Sequence, residues 1–456
     1  MSAMAASSAG SAPNSKGGAL SLPFIISASS VGTLIEWYDF YLYGILAAFF
    51  GQHFLPPEVK FADSFLYSLG VFWLGFVVRP IGAVIFGHLG DLIGRKYTFM
   101  LTLVLMGTAT FLVGCLPEYS AVGWLAPVLL VALRLIQGLA LGGEYGGAAT
   151  YIAEHAPDGK RGFYTSWIQT TATMGIVFAL VVILAFRVGM GDDAFSAYGW
   201  RFPFLISAIL VALSGYIRLK LQESPIFVRL KQQGKTSTNP AAESFGSGKN
   251  WGYILLALFG ATAPEGVVWY TGQFYALAYM TAGLKLPYTE VYVIMAFSLL
   301  FGAPFFVVFG WLSDRIGRRN IMTGGFLLAV ITYLPVFQAI KDNADNPVVL
   351  ALLVFYLVLL VTMVYGPIAA FLVEFFPAKI RYSSMSLPYH VGNGVFGGGV
   401  PFLVTLLGRM FPGTAFAGLF YPMAVAGLGV IVSLLGISND SHVNKIWDEV
   451  GGAPAE

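Results

Sequence analysis

The chain has 456 residues, 57% of them hydrophobic and only 11% charged, with a formal net charge of +2. Soluble domains usually carry about 25% charged residues, so composition excludes an ordinary water-soluble fold, and the near-neutral balance gives no reason to expect a nucleic-acid partner. The single cysteine, Cys115, and five scattered histidines exclude an intramolecular disulfide and a thiolate or zinc cluster.

Residues 1–22 are rich in Ala, Ser and Gly and read as a disordered tail. A bilayer-crossing helix needs roughly 20 apolar residues. Twelve such runs follow, at 23–50, 64–90, 97–116, 124–152, 163–186, 202–221, 251–280, 289–311, 321–340, 348–373, 384–408 and 414–437. The predicted fold class is an all-α membrane protein of twelve transmembrane helices. A polar stretch at 222–250 divides a six-helix bundle over 23–221 from a second over 251–437, and a short tail covers 438–456. With the N-terminus in the cytoplasm, most Lys and Arg outside the spans fall on the cytoplasmic side. The opposite side holds only Lys60, Arg187, Arg201, Lys285, Lys341 and Arg409. Both termini and the central loop are therefore expected to be cytoplasmic.

Ionisable groups inside spans cost about 2.5–3.5 kcal/mol each on insertion scales and usually face a cavity or a partner. In the first span Glu36, Asp39 and Tyr43 share one helical face. Burial of a carboxylate favours its protonated form, so Asp39, with Glu36 as the alternative, is positioned as a proton-coupling acid. The plainer reading is a fixed ion pair with Arg79 or Arg134 that holds helices together. In the second span Arg79 precedes Pro80, which frees a backbone carbonyl and permits a kink. It can contact a substrate anion or anchor the fold. In the fourth, Arg134, Gln137 and Gly138 line one face. An arginine there stays charged and offers a planar fork suited to a carboxylate. Glu144, about 80° round the helix from Arg134, addresses a different neighbour. Gly138, Gly142 and Gly146 form small-x-x-x-small steps that let helices approach closely. The seventh span offers Glu265, Tyr270 and Gln273, and Gly272 is a point at which it can break. The eleventh offers Tyr389, His390 and Asn393, followed by a glycine run, Gly397 to Gly399, that weakens the helix.

Two motifs recur. "GHLGDLIGRK", Gly87 to Lys96, ends the second span and returns 223 residues later as "GWLSDRIGRR", Gly310 to Arg319. "EHAPDGKR", with Glu154, Pro157 and Arg161, returns 220 residues later as "EFFPAKIR", with Glu374, Pro377 and Arg381. A weaker echo pairs Trp37, Tyr38 and Tyr43 with Trp269, Tyr270 and Tyr275. Echoes in one order at similar offsets mean an internal duplication. Six spans per copy is an even number, so the two halves run in the same direction. Asp91 ends its helix at the negative dipole end, which disfavours an anion; it needs an outside partner, a helix N-terminus or an arginine such as Arg95. Gly94 allows the turn. Gly87, Asp91, Gly94 and Arg95, with Gly310, Asp314, Gly317 and Arg318 in the second copy, are read as gate elements. Glu154, Arg161, Glu374 and Arg381 join them.

These residues resemble the major facilitator superfamily: the two repeated loops resemble its signature loop, and "RLIQGLALGG", from Arg134, its fourth-helix motif. "EWYDFYLYG", "RPIG", "GGEYGGAATYIAEHAP", "WRFPF" and "VGNGVFGGGVPFL" resemble its metabolite:proton symporter branch. That branch carries organic acids such as 2-oxoglutarate, citrate and shikimate, and also proline and betaine. The resemblance implies proton coupling at the Arg134 position. Glu265 and Gln273 depart from it, standing where a more apolar helix is expected.

The expected function is proton-coupled symport of a small polar metabolite, foremost an organic di- or tricarboxylate, by alternating access. A zwitterionic osmolyte such as proline or betaine is the nearer alternative, and a non-transporting membrane receptor the distant one. Asp39, Glu36 and Arg134 are the expected coupling residues. Arg79, Arg134, Tyr43, Gln137, Tyr270, Gln273, Tyr389 and Asn393 are the expected substrate contacts. No phosphate-binding loop or nucleophile elbow is present, so no enzyme activity, metal or cofactor is expected, and the proton gradient supplies the drive. The expected setting is a bacterial inner membrane, as a monomer.

Overall fold

The computed structural model describes residues 22–93, 95–143, 145–219, 246, 248–377 and 381–440. Among them the chain is helical, with no strand. In chain order α1 covers Leu22–Ile45 and, past a turn at Leu46, Ala47–Phe54. The second span, α2, runs Phe61–Val77 and restarts as Arg79–Ile93; α3 is Arg95–Cys115. The fourth, α4, is Leu125–Gly142 and then Tyr145–His155, and α5 is the unbroken Arg161–Met190. Arg201–Leu205 and Ser207–Leu219 make α6. In the second half α7 runs over 248–283, α8 is Tyr288–Gly302 with Pro304–Ile316, and α9 is Arg318–Asp342. Pro347–Tyr365 and Ile368–Phe375 form α10. Arg381–His390, Val391–Gly397 and Val400–Met410 form α11, and Phe420–Gly436 forms α12.

Several interruptions sit at prolines, which lack the N–H of the helical ladder: Pro80 in α2, Pro304 in α8 and Pro367 in α10. The seventh span behaves differently. It runs through Gly272 without breaking and instead widens into π-helical turns at Leu258–Thr262, Thr271–Tyr275 and Tyr279–Gly283. Among the described residues nine of the twelve spans, α2, α4, α5 and α7 to α12, are long and apolar enough by themselves to cross a membrane. The sixth enters through a bend of 49°. Large apolar side chains such as Val128, Ile209, Leu352 and Leu435 are exposed on the outer wall, as a lipid-facing surface requires and water would not tolerate in such number.

The packing repeats itself six helices on. In the first half α1 packs on α5 and α6, α2 on α4, and α3 on α4 and α6. In the second half α7 packs on α11 and α12, α8 on α10, and α9 on α10 and α12. These are the same pairs, which is the duplication expressed as structure. The halves meet along α5 against α8 and α2 against α11. Small residues permit the tightest crossings. A Cβ on Gly138 of α4 would lie 1.8 Å from the Gly75 carbonyl oxygen of α2, and one on Gly82 would lie 2.1 Å from the Leu139 carbonyl oxygen. Only glycine fits at these two crossings.

Candidate functional site

The break in α2 delivers Arg79. The first segment ends at Val78, the Gly82 amide still reaches back to the Val78 carbonyl at 3.1 Å, and Arg79 opens the next segment beside Pro80. Its guanidinium is fully buried, and none of its three nitrogens has a hydrogen-bond partner among the described residues. It lies instead among ring faces: Phe76 at 5.4 Å and Trp37 at 5.5 Å from the first half, Tyr389 at 5.9 Å from the second. Ring faces attract a cation by roughly 0.5–2 kcal/mol each. They do not replace the acceptors a planar, always-charged fork needs. Arg79 is therefore a donor without an acceptor, held between the halves.

The facing wall comes from α7, α10 and α11. The π-helical turn before Pro264 sets the register of Glu265, which is fully buried. Its Oε2 accepts from Asn393 Nδ2 at 2.7 Å, and Asn393 itself lies in the π-helical stretch of α11. Gln273, in the next widened turn, accepts through Oε1 from the Thr173 hydroxyl of α5 at 3.0 Å, a bond between the halves. Tyr365 and Tyr389 share a hydrogen bond of 2.9 Å. Trp37 stacks on Tyr41 at 4.9 Å, Tyr41 on Trp269 at 5.4 Å, and Tyr270 meets Phe76 edge-on at 5.1 Å. Glu265 Oε1, Trp269 Nε1 and Gln273 Nε2 are, like Arg79, buried without a hydrogen-bond partner among the described residues. Buried polar atoms are normally satisfied, so such a cluster marks a place where another molecule belongs.

The other expected residues form a second group, inside the first half. Arg134 Nη1 donates to the Phe40 carbonyl at 3.2 Å and to Gln137 Oε1 at 2.8 Å, and Gln137 donates on to Thr110 at 2.8 Å. Phe40 and Tyr43 lie against the Arg134 guanidinium, with centroids at 4.2 and 4.6 Å. Arg134, Gln137 and Tyr43 thus sit together on α1 and α4, joined to the Arg79 surroundings through the Phe40–Phe76 ring contact. Asp39 is buried on α1, and its Oδ1 accepts from Ser207 of α6 at 2.6 Å. It forms no ion pair with Arg79 or Arg134, and Oδ2 has no hydrogen-bond partner among the described residues. Glu36 is also buried on α1. Glu144 lies outside the described residues.

At the end of the bundle that carries the repeated motifs, polar groups bridge the halves. Asp314 of α8 accepts from the Gly162 and Phe163 amides, both at 2.8 Å. These are the first turn of α5, which has no side-chain cap of its own. An anion there also meets the positive end of the helix dipole. Arg318 binds Asp314 at 2.7 Å and grips Glu374 at 2.9 and 3.1 Å. The second motif pairs with its own duplicate: Arg161 with Glu374 and Arg381 with Glu154, each at 3.7 Å. Arg161 also binds Asp158. Gly162 and Gly310 face each other so closely that a Cβ on either would lie within 2.5 Å of the other's carbonyl oxygen. Gly317, at φ 95°, makes the turn into α9. Gly87 lies within α2; Gly94 and the side chains of Asp91 and Arg95 lie outside the described residues. At the far end Arg409 pairs with Asp63 at 2.5 Å and Arg187 lies 5.1 Å from the Tyr288 ring, again across the halves.

Sequence reasoning did not single out Trp37, Tyr41, Phe76, Trp269, Tyr365 or Thr173 as lining this centre. The echo of Trp37 by Trp269 was the available signal, because both indoles stack on one tyrosine.

Residues 24–251 match the family model described as "Sugar (and other) transporter". The chain is 35% identical to the inner membrane metabolite transport protein YhjE of Escherichia coli strain K12, over 90% of this chain and 93% of that one. It is 34% identical to the shikimate transporter of the same organism, over 89% and 92%. A solved D-xylose-proton symporter superimposes with a TM-score of 0.68 at 19% identity, covering 92% of this chain and 98% of its own, a likeness of fold.

Proposed function

The chain belongs to the major facilitator superfamily, among its multi-pass metabolite transporters, and from that premise we propose that it is a proton-coupled symporter of a small metabolite bearing a carboxylate. The observation that carries this reading is Arg79, a buried guanidinium between the halves whose three nitrogens have no hydrogen-bond partner among the described residues. A substrate carboxylate supplies the acceptors that the protein withholds, in the bidentate geometry that arginine favours. Gln273 Nε2 and Trp269 Nε1 stand ready to donate to its remaining oxygens.

Asp39, with Glu36 as the alternative, carries the proton. Its carboxylate sits on α1 with one oxygen fixed by Ser207 and the other open to a proton. Arg134, on α4, donates to the Phe40 carbonyl of α1 and supplies the fixed positive charge of the first half. Loading substrate and proton lets the halves rock, breaking the Asp314 cap and the Glu154–Arg381 and Arg161–Glu374 pairs as the site opens to the cytoplasm. The gradient alone drives the cycle, in a bacterial plasma membrane, with both termini cytoplasmic and one chain as the working unit.

A second reading, a zwitterionic substrate, is favoured by Glu265, a fully buried carboxylate of α7 with one oxygen held by Asn393. The test is uptake by proteoliposomes under an imposed pH gradient, with a panel of organic acids and zwitterions. Wild-type protein should accumulate at least one, and Asp39→Asn should fold normally yet lose gradient-driven uptake. Unaltered gradient dependence in that variant counts against Asp39. No uptake of any probe favours a receptor.

A further inference from the structure

The Glu265 carboxylate has no part in the cycle described above, yet it lies fully buried on α7. Asn393 Nδ2 donates to its Oε2 at 2.7 Å, and Oε1 has no hydrogen-bond partner among the described residues. No cation touches it among them, for the Arg79 nitrogens have no hydrogen-bond partner either. The segment that carries it packs on α9, α10, α11 and α12. The titratable side chains that its own helix and these neighbours bring to this centre are Tyr270, Tyr333, Tyr365, Tyr389 and His390. From α12, Gly429 lies against Pro264. The tyrosines are neutral at physiological pH, and neither ring nitrogen of His390 has a hydrogen-bond partner among the described residues.

A carboxyl so placed has one neutral donor to set against the loss of its hydration. Buried charge of this kind is relieved by taking up a proton. The proton adds to the open Oε1, Oε2 remains the carbonyl that Asn393 holds, and no other bond changes. Asp39 is built in the same way: Ser207 holds one oxygen and the other is open. The helix α7 is the duplicate of α1, so each half carries one such acid on its first helix.

We propose that Glu265 is a second proton carrier of the cycle, the counterpart in the second half of Asp39 in the first. Asn393 ties it to the contact between the halves, because it stands between two glycines of α11. A Cβ on Gly392 would lie 2.5 Å from Thr262 of α7, and one on Gly394 would lie 2.6 Å from the Phe76 carbonyl oxygen of α2. Parting of α2 from α11 moves the donor of Glu265 and lets water reach Oε1, from which the proton leaves. This deepens the symport reading given above and rests on it.

The test uses the full chain in proteoliposomes. Infrared difference spectra near neutral pH should show the carbonyl stretch of a protonated carboxyl in wild type and not in Glu265→Gln. Asp39→Asn should keep this band. Asn393→Ala should shift it, because the carbonyl loses its donor, and this comparison needs no Glu265 variant to fold. A carboxylate band in its place overturns the inference, as does a band that Asn393→Ala leaves unmoved. A pH-sensitive dye then counts the protons that enter with succinate, citrate, glycine betaine or proline, whichever wild type accumulates. Glu265→Gln should carry one proton fewer per substrate. An unchanged count overturns the inference and leaves the symport reading standing. Uptake without protons, or of no probe, overturns the symport reading and the coupled role of Glu265 with it.

Discussion

Arg79 keeps a full positive charge out of water, with ring faces around it and no hydrogen-bond acceptor among the described residues. Replacing buried charge by a well-packed apolar group is often neutral or stabilising by about 1–4 kcal/mol. Arg79→Met should therefore abolish uptake while leaving stability equal or raised within that range, read by thermal or denaturant unfolding. A large loss of stability would mean that the arginine anchors the fold instead. At this scale the sequence was readable wherever an ionisable residue interrupted an apolar run, which is how Asp39, Arg79, Arg134 and Glu265 stood out. Trp37, Tyr41 and Phe76 were not readable as site residues. An aromatic side chain in an apolar run looks the same whether it faces a cavity, a neighbouring helix or lipid.

Helices are placed by hydropathy, but their internal faults are placed by backbone chemistry. The prolines of α2, α8 and α10 announce their breaks. The widened turns of α7 do not announce themselves, because extra residues per turn depend on what packs alongside. Gly272 shows the difference: expected as a break, it sits in a continuous π-helical stretch, with Val361 and the Leu357 carbonyl of α10 pressed against it. The crossing of α2 and α4 is less forgiving. Gly138→Ala would drive a methyl into the Gly75 carbonyl, and overpacking of this kind costs about 1–3 kcal/mol or more. The variant should fold poorly or show a lowered melting temperature, and one as stable as wild type would show that the seam can open.

The whole molecule is two copies of one bundle tied by their duplicated motifs. The duplication was readable from offsets in the chain, but the reciprocity was not. That Glu154 meets Arg381 and Arg161 meets Glu374 depends on an axis relating the halves, which one-dimensional spacing cannot supply. Asp314 has the further task of capping a helix of the other half. Asp314→Asn removes the charge from that cap and from the Arg318 pair, so the population should shift toward molecules open at this end. With Cys115 replaced by serine, a cysteine at Ser166, buried beside Gly310, should then react with a water-soluble thiol reagent severalfold faster. An unchanged rate would show that the cap does not hold the gate.

The stack of Trp37, Tyr41 and Trp269 has an optical consequence. Its two indoles come from opposite halves, are clamped on one phenol and are buried. Parting of the halves, as proposed, should pull the clamp apart and wet both indoles at once. The emission colour of two native chromophores should therefore follow the proposed cycle, read in ultraviolet light without a dye.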